Sequence, residues 1–287
     1  MLLIIQSRGK HPENREYREC ECLSRAFTRQ GIPNQVTGLG YESFAAFNEL
    51  LAAATTVLVV ENYGMTKWLP RTLRHFHGPR VFWCVDSHVA MNRHVQECDA
   101  YKFSMVLCSV AAHVNALKGP GRQARWCPNA YPSDLIQPVR RGEKRHDVGF
   151  CGSWVTGRRP FYEKVAKRAR IQTDIRVLGD AMVEAVRSYR IHLNRNYSVD
   201  LNYRTYETMG AGTFLLTNPT DNLLNMFTPG VHLDVYRSVD ECLKKIDYYL
   251  THPHEREAIA ANGCHQVQRK HSYDARARWM IEEGVVT

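Results

Sequence analysis

Short apolar runs alternate with stretches whose apolar positions recur at helical spacing along most of this 287-residue chain. Residues 2–6 read as a strand, 16–30 as a helix closed by Gly31, 34–38 as a strand, 43–53 as a helix, 56–60 as a strand, 65–76 as a helix and 80–85 as a strand. The runs 103–108 and 110–117 complete this half. A stretch rich in Pro, Gly and Arg, 118–143, reads as a linker with a short strand at 125–127. A second alternating set follows, with strand 147–151, helix 159–169, strand 174–178 and helix 181–189, and leads into a motif-rich region at 193–218. Repetition of this kind predicts mostly parallel sheets with helices on both faces, in an α/β fold. No internal repeat competes with it. Ligands in such folds sit at the carboxyl ends of the strands, so the residues just past each strand are the candidates for chemistry.

The region 193–218 reads LNRNYSVDLNYRTYETMGAGTFLLTN. Asp200 and Asn202 stand where a helix would be capped, Arg204 and Glu207 fall three apart on its first turns, and Gly210 and Gly212 lead into the apolar run 214–216. A helix start can receive a diphosphate, because its free N–H groups and its dipole both favour negative charge. A carboxylate one turn further in can accept hydrogen bonds from ribose hydroxyls, and an arginine can neutralise phosphate. Residue by residue, an ordinary capped amphipathic helix explains each of these equally well; Asn194 and Asn196 either contact a ligand or shape a loop. The coincidence of all of them with ordered flanking motifs favours a site.

This stretch resembles the C-terminal half of group 1 glycosyltransferases, and within them the CgeB-like (spore maturation protein) branch: an Asn, then R-x-x-E, a small-x-Gly step and an apolar strand. VGFCGS at 148–153 with Arg158 and Arg159 resembles the opening strand and glycine turn, FTPGVHLDVY at 227–236 the segment after the donor strand, and 238–276 the closing helices. The resemblance implies a GT-B architecture. Two Rossmann-like domains, 1–141 and 142–270, would face a central cleft, and a C-terminal helix at 271–287 would return to the N-terminal domain. It implies a donor site built from Gly152, Ser153, Arg158, Asn194, Asp200, Asn202, Arg204 and Glu207, with Glu207 on the ribose and a nucleotide-diphosphate sugar, a UDP-sugar first, as donor. Many relatives carry a second glutamate ahead of Glu207; this chain has Val199 there, beside Asp200.

In the N-terminal half, Asp86 and His88 follow directly on a strand, so either could act as general base toward an acceptor hydroxyl; capping of the next helix is the competing role for Asp86. Arg8, Gly9 and Lys10 follow the first strand, and Glu61 to Gly64 (ENYG) the third.

Length and composition agree with a two-domain enzyme. The chain exceeds the usual span of one core, and 44% hydrophobic residues are enough for two cores and too many for disorder. The apolar start, 1–6, is too short for a membrane helix and lacks the features of a secretory signal, so a cytoplasmic protein is expected. Nine irregularly spaced cysteines predict reduced, buried thiols. Neither Cys20/Cys22 nor His75/His77 has zinc-knuckle spacing, so no metal is expected. A formal net charge of +9 favours a polyanionic partner. Basic residues concentrate at Arg122, Arg125, Arg140, Arg141, Lys144 and Arg145, and again at Arg158, Arg159, Lys164, Lys167, Arg168 and Arg170. The acceptor expected from this is a hydroxylated base in DNA; a cell-surface glycan, lipid or protein is the alternative, and a non-catalytic nucleic-acid-binding module on the same fold is the competing class. The oligomeric state is left open by the sequence.

Overall fold

The computed structural model describes residues 1–61, 64–138, 144–154 and 157–286. Asn62 and Tyr63 of the ENYG loop and the linker cations Arg140 and Arg141 lie outside the described residues. Packing divides the chain into Met1–Pro128 with Tyr273–Thr287, and Asn129–Ser272. The division falls ahead of the 141/142 boundary expected from sequence.

The first unit contains β1 (Leu2–Ile5), α1 (Glu19–Arg29), β2 (Asn34–Thr37), α2 (Phe47–Ala53), β3 (Thr56–Val60), β4 (Arg80–Cys84), α3 (Ser87–Tyr101), β5 (Met105–Cys108) and β6 (Gln123–Trp126). The six strands pair in parallel in the order β2-β1-β3-β4-β5-β6, with Leu3 opposite Gln35 on one side and Val57 on the other. Leu2 to Ile5 and Val57 to Val60 are fully buried, as strands covered on both faces must be. The expected helix at 65–76 is instead two short 3-10 turns, Met65–Lys67 and Arg71–His75, because Pro70 lies between them and disfavours helical backbone before it. α3 was not among the expected elements; its first turn is broken by non-helical backbone at Ala90.

The second unit contains β7 (His146–Gly152), α4 (Arg159–Ala166), β8 (Gln172–Ile175), α5 (Gly179–Arg187), β9 (Tyr189–Leu193), α6 (Tyr203–Gly210), β10 (Phe214–Thr217), α7 (Asp221–Met226), β11 (Asp234–Val235), α8 (Val239–Thr251) and α9 (Pro253–Lys270). Its strands are also all parallel, in the order β11-β10-β9-β7-β8. Left-handed backbone at Arg176 and Gly179 ends β8 early and starts α5 early, and the expected helix to 189 gives way to β9 at Tyr189. The last helix, α10 (Tyr273–Glu282), groups with the first unit. Arg29 makes a two-pronged pair with Asp274 at 2.7 and 2.9 Å, Arg276 Nε donates to the Pro128 carbonyl, and Tyr273 meets Trp83 edge-on.

In each sheet the second strand flanks the first on one side and the third on the other. The crevice at a parallel sheet's carboxyl edge opens where the order reverses, here between β1 and β3 and between β7 and β9. In the first unit this edge is held by Glu61, which is 5% exposed. Its Oε2 accepts from the N–H groups of Val85 and Asp86 at 2.9 and 2.8 Å, and its Oε1 lies 3.0 Å from His94 Nε2 and 3.3 Å from Arg93. Burial pushes the Glu61 carboxyl up, but His94, the Asp86 N–H and Arg93 outweigh it and hold it below its ordinary value. Burial likewise opposes charge on His94, yet Glu61 and Glu97 raise it to about 9.

Two expectations follow from this packing. A Cβ on Gly149 would sit 2.2 Å from the Tyr189 ring, so Gly149→Ala should lower unfolding stability by roughly 2–4 kcal/mol; an unchanged urea midpoint would show that β7 and β9 do not pack this closely. His94 in the folded protein has its pKa raised from the ordinary 6.5 to about 9. Its stabilisation is therefore fully present below about pH 6.5 and lost as pH rises through 9. The midpoint temperature should fall between pH 7 and 9.5 in the parent and stay flatter in His94→Gln; a flat parent profile would refute a charged His94.

Candidate functional site

The second unit's switch point is lined by the residues leaving β7 and β9 and by the start of α6. Arg158, at the entry to α4, is 9% exposed and its Nε donates to the Arg195 carbonyl at 2.8 Å. Arg204, on the first turn of α6, pairs with Glu207 one turn on. Arg204 Nε and Asn202 Oδ1 are buried without a hydrogen-bond partner among the described residues. Burial opposes the charge of Arg204, but Glu207 and Cys151 outweigh it and keep the guanidinium protonated. Burial lowers the pKa of Arg158, and Arg204 pushes the same way. Arg204 and Arg158 thus bring two positive charges to this edge, with Glu207 paired to Arg204.

His192 on β9 adds none. It is fully buried and its Nε2 accepts from the Cys151 N–H at 3.2 Å, so Nδ1 carries the proton and faces Thr208 Oγ1. Burial first, then Arg204, Lys144 and Arg158, pull its pKa down to about 3. The thiol of Cys151 is pushed up to about 11 by burial and is inert at neutral pH.

Around this charge lies an amide network. Asn194 donates to Asn196 Oδ1 at 3.4 Å and Thr217 Oγ1 at 3.1 Å and accepts from Asn202 Nδ2 at 3.2 Å. Asn196 N–H donates to Asn218 Oδ1 at 2.6 Å, and the Tyr236 hydroxyl donates to the Asn194 carbonyl at 2.7 Å. The amides of Asn194 and Asn196 are therefore spent on joining the exits of β9 and β10. Asn202 occupies the N-cap position of α6 without making a side-chain cap, and Asp200 accepts from the N–H of Leu201; the expected capping arrangement is replaced by these bonds. Gly152 and Ser153 end β7, Ser153 exposed. A Cβ on Gly152 would press the Phe150 ring at 3.1 Å.

In the first unit, Asp86 and His88 sit half-buried at the start of α3. Asp86 holds the N-cap position but makes no side-chain cap there. Burial lowers the pKa of His88, against the pull of Asp86 and Glu61, which leaves a neutral imidazole able to accept a proton. Arg8 donates its N–H to Leu39 and lies over the Tyr41 ring, Gly9 takes φ +82, and Lys10 is exposed. Glu61, Cys84 and His94 bring three ligand-type atoms within 4.8 Å of one another. Glu61 is already engaged by two N–H groups, His94 and Arg93, and burial, with Glu61 beside it, raises the Cys84 thiol well above its ordinary value. This set is built to hold protons.

His192 was not among the residues singled out by sequence; Glu61 was marked only as following the third strand, and Cys151 only as part of VGFCGS. The YRIHL run of β9 has a strand's alternation, and only its hidden histidine would have flagged the site. Part of the basic composition proves to be internal: Arg122 pairs with Asp99, Arg125 with Glu283, and Arg168 with Asp240. Lys164, Lys167 and Arg170 remain exposed at and beyond the end of α4. All nine cysteines are buried and free. Among the described residues no helix is long and apolar enough to cross a membrane.

Known structures share this architecture. Sucrose-phosphate synthase from Thermosynechococcus elongatus superimposes with a TM-score of 0.70 at 12% identity, over 99% of this chain and 98% of that one. HepE from Anabaena, solved in complex with UDP-glucose, gives 0.62 at 10% identity over 99% of both chains. A glycosyltransferase from Rickettsia africae gives 0.64 at 9% identity, over 98% of this chain and 97% of that one. These likenesses establish the GT-B fold of two Rossmann-like units. No curated protein matches the sequence. Residues 122–282, more than half of the chain, match the family described as glycosyl transferase-like, and the chain accordingly belongs to that family and is a glycosyltransferase.

Proposed function

We propose that this glycosyltransferase, a member of the CgeB-like branch, moves a sugar from a UDP-sugar to a hydroxyl on a polyanionic acceptor, with a hydroxylated base in DNA as the first acceptor to test. The observation that carries the donor reading is Arg204: half-buried on the first turn of α6, with a buried Nε unpartnered among the described residues, it lies near the buried Arg158. That is a charge distribution waiting for a diphosphate. The crystal structures of Anabaena HepE with UDP and with UDP-glucose support uridine as the base. Net charge of +9 and the exposed lysines of α4 support an anionic acceptor.

In this reading the backbone at Gly152 and Ser153 and the start of α6 at Asp200 and Asn202 approach the diphosphate, and Glu207 holds the ribose. Arg204 and Arg158 stabilise the negative charge that develops as the sugar leaves. Asp86 or His88 takes the proton of the acceptor hydroxyl, and Arg8, Gly9 and Lys10 line the acceptor side. Proton removal by a positioned base contributes about 10²- to 10⁴-fold, and losing one charge-stabilising donor costs about 10²- to 10³-fold.

UDP should raise the thermal midpoint of the parent, because a ligand bound only to the folded state stabilises it, and GDP, dTDP, CDP and ADP should raise it less. Arg204→Ala and Glu207→Ala should reduce that shift, and Arg204→Ala should slow transfer about 10²-fold or more. Parent-like shifts and turnover in both folded variants would refute the donor site. Asp86→Asn should slow transfer while leaving the UDP shift intact, and His88→Asn tests the alternative base in the same assay. Unimpaired transfer in both would remove the base from this loop. Incorporation of labelled sugar into DNA carrying hydroxymethylated bases tests the acceptor; transfer to a glycan, lipid or protein alone would replace DNA as the acceptor.

A further inference from the structure

A cavity in the second unit lies away from the cluster of Arg204, Glu207 and Arg158. It measures about 770 Å³ and opens at the amino edge of the sheet, where Arg190 is the second residue of β9 and Phe214 the first of β10, against α9. Because all strands run one way, this edge is the far end of the sheet from the carboxyl-edge crevice, and nothing in the donor chemistry uses it.

Its volume comes from small side chains. Ala260, Ala261 and Cys264 line it from α9, and Gly212, at φ +69, lines it from the turn before β10. The floor is apolar, with Phe214 and Pro253. Its cations are Lys144, Arg190 and Arg256, against one lining carboxylate, Glu257. Arg256 is only 7% exposed and is anchored by Nη1 to the Tyr249 carbonyl at 2.7 Å. Lys144 is fixed to Thr213 Oγ1 at 2.7 Å and Arg190 to Asp147. Burial lowers the pKa of Arg256, Glu257 opposes that, and Arg190 adds to it, so these cations crowd one another. His254 and Ala261 are exposed, which leaves the cavity open to solvent.

We propose that this cavity is a second ligand site, distinct from the donor site, for a small organic anion with an apolar body. The phosphate, sulfate or carboxylate head would meet Lys144, Arg190 and Arg256, and the body would lie on Phe214, Ala260 and Ala261. Volume and lining both fall in the range of small-molecule sites, which are mostly apolar with a few fixed polar groups. Charge complementarity sets the sign of the head group. The site stands independently of the sugar donor and of the acceptor.

Isothermal titration of the full chain with hexyl phosphate, inorganic phosphate and hexanol tests it. Hexyl phosphate should bind at least about tenfold more tightly than either half alone, and saturating UDP should leave that binding unchanged. Ala261→Trp, which fills the cavity from an exposed helix position, should abolish it. Arg190→Gln should weaken hexyl phosphate at least about threefold and leave hexanol unaffected. Melting curves of both variants check that they are folded, and the parent titrations decide the matter even if one variant is not. Hexyl phosphate binding no tighter than phosphate or hexanol, displacement by UDP, or parent-like binding in folded Ala261→Trp would each overturn the proposal.

Discussion

Every strand pairing within the two sheets is parallel, and the placement of chemistry depends on that constraint. A parallel sheet covered on both faces leaves its strands no room for polar side chains, so groups that must meet a ligand are driven to the strand ends. There they become partly buried, and a buried polar group has to be paired. Glu61 in the first unit and the Asn194–Asn196–Thr217 network in the second answer the same demand. Each cross-links the exits of neighbouring strands and fixes the loops that carry the candidate residues. Glu61 determines where Asp86 sits because it holds Asp86 by the backbone N–H; Asn194 determines where α6 begins because it holds Asn202.

The alternation of apolar runs and helical stretches made the α/β class legible, since period is a local property of sequence. The strands at 2–5, 56–60 and 80–84 were found nearly to the residue because each is a short run of mostly apolar, mostly buried residues. The failures share a cause. The 65–76 stretch has helical spacing, but Pro70 is a covalent veto that a periodic reading underweights. β9 was missed, with Tyr189 read as the end of a helix and 190–192 left unassigned, and left-handed backbone at Arg176 and Gly179 accompanies an α5 that starts two residues earlier. α3 is too polar to announce itself: His94 and Glu97 are buried on it as an ion-paired set, and no hydrophobicity pattern can reveal that.

Site residues were legible in proportion to how much of their role is written in local order. Arg204 and Glu207, three apart on one helix, were found as a pair and stand as a pair. Arg158 was found from its place after a glycine turn. His192 was not, because its partners Cys151 and Thr208 lie far from it in sequence, and Glu61 was marked only by its place after a strand, its partners Val85 and His94 lying far along the chain. The basic composition misled in a similar manner. Arg122, Arg125 and Arg168 each pair with a carboxylate far along the chain, so the clusters read from sequence overstate the unpaired cations offered to an anionic partner, whereas Lys164, Lys167 and Arg170 at the end of α4 are exposed.

Two wholly buried histidines, His94 and His192, show how differently the carboxyl edges are charged. Desolvation alone would leave each neutral. His94 faces Glu61 and Glu97 and is driven to about 9; His192 faces Arg204, Lys144 and Arg158 and is driven to about 3. The same side chain in the same kind of place thus reports the sign of the local field. In the first unit Glu61 and Glu97 set a negative field that Arg93 and His94 itself answer. In the second Arg204, Lys144 and Arg158 set a positive one, with Glu207 paired to Arg204.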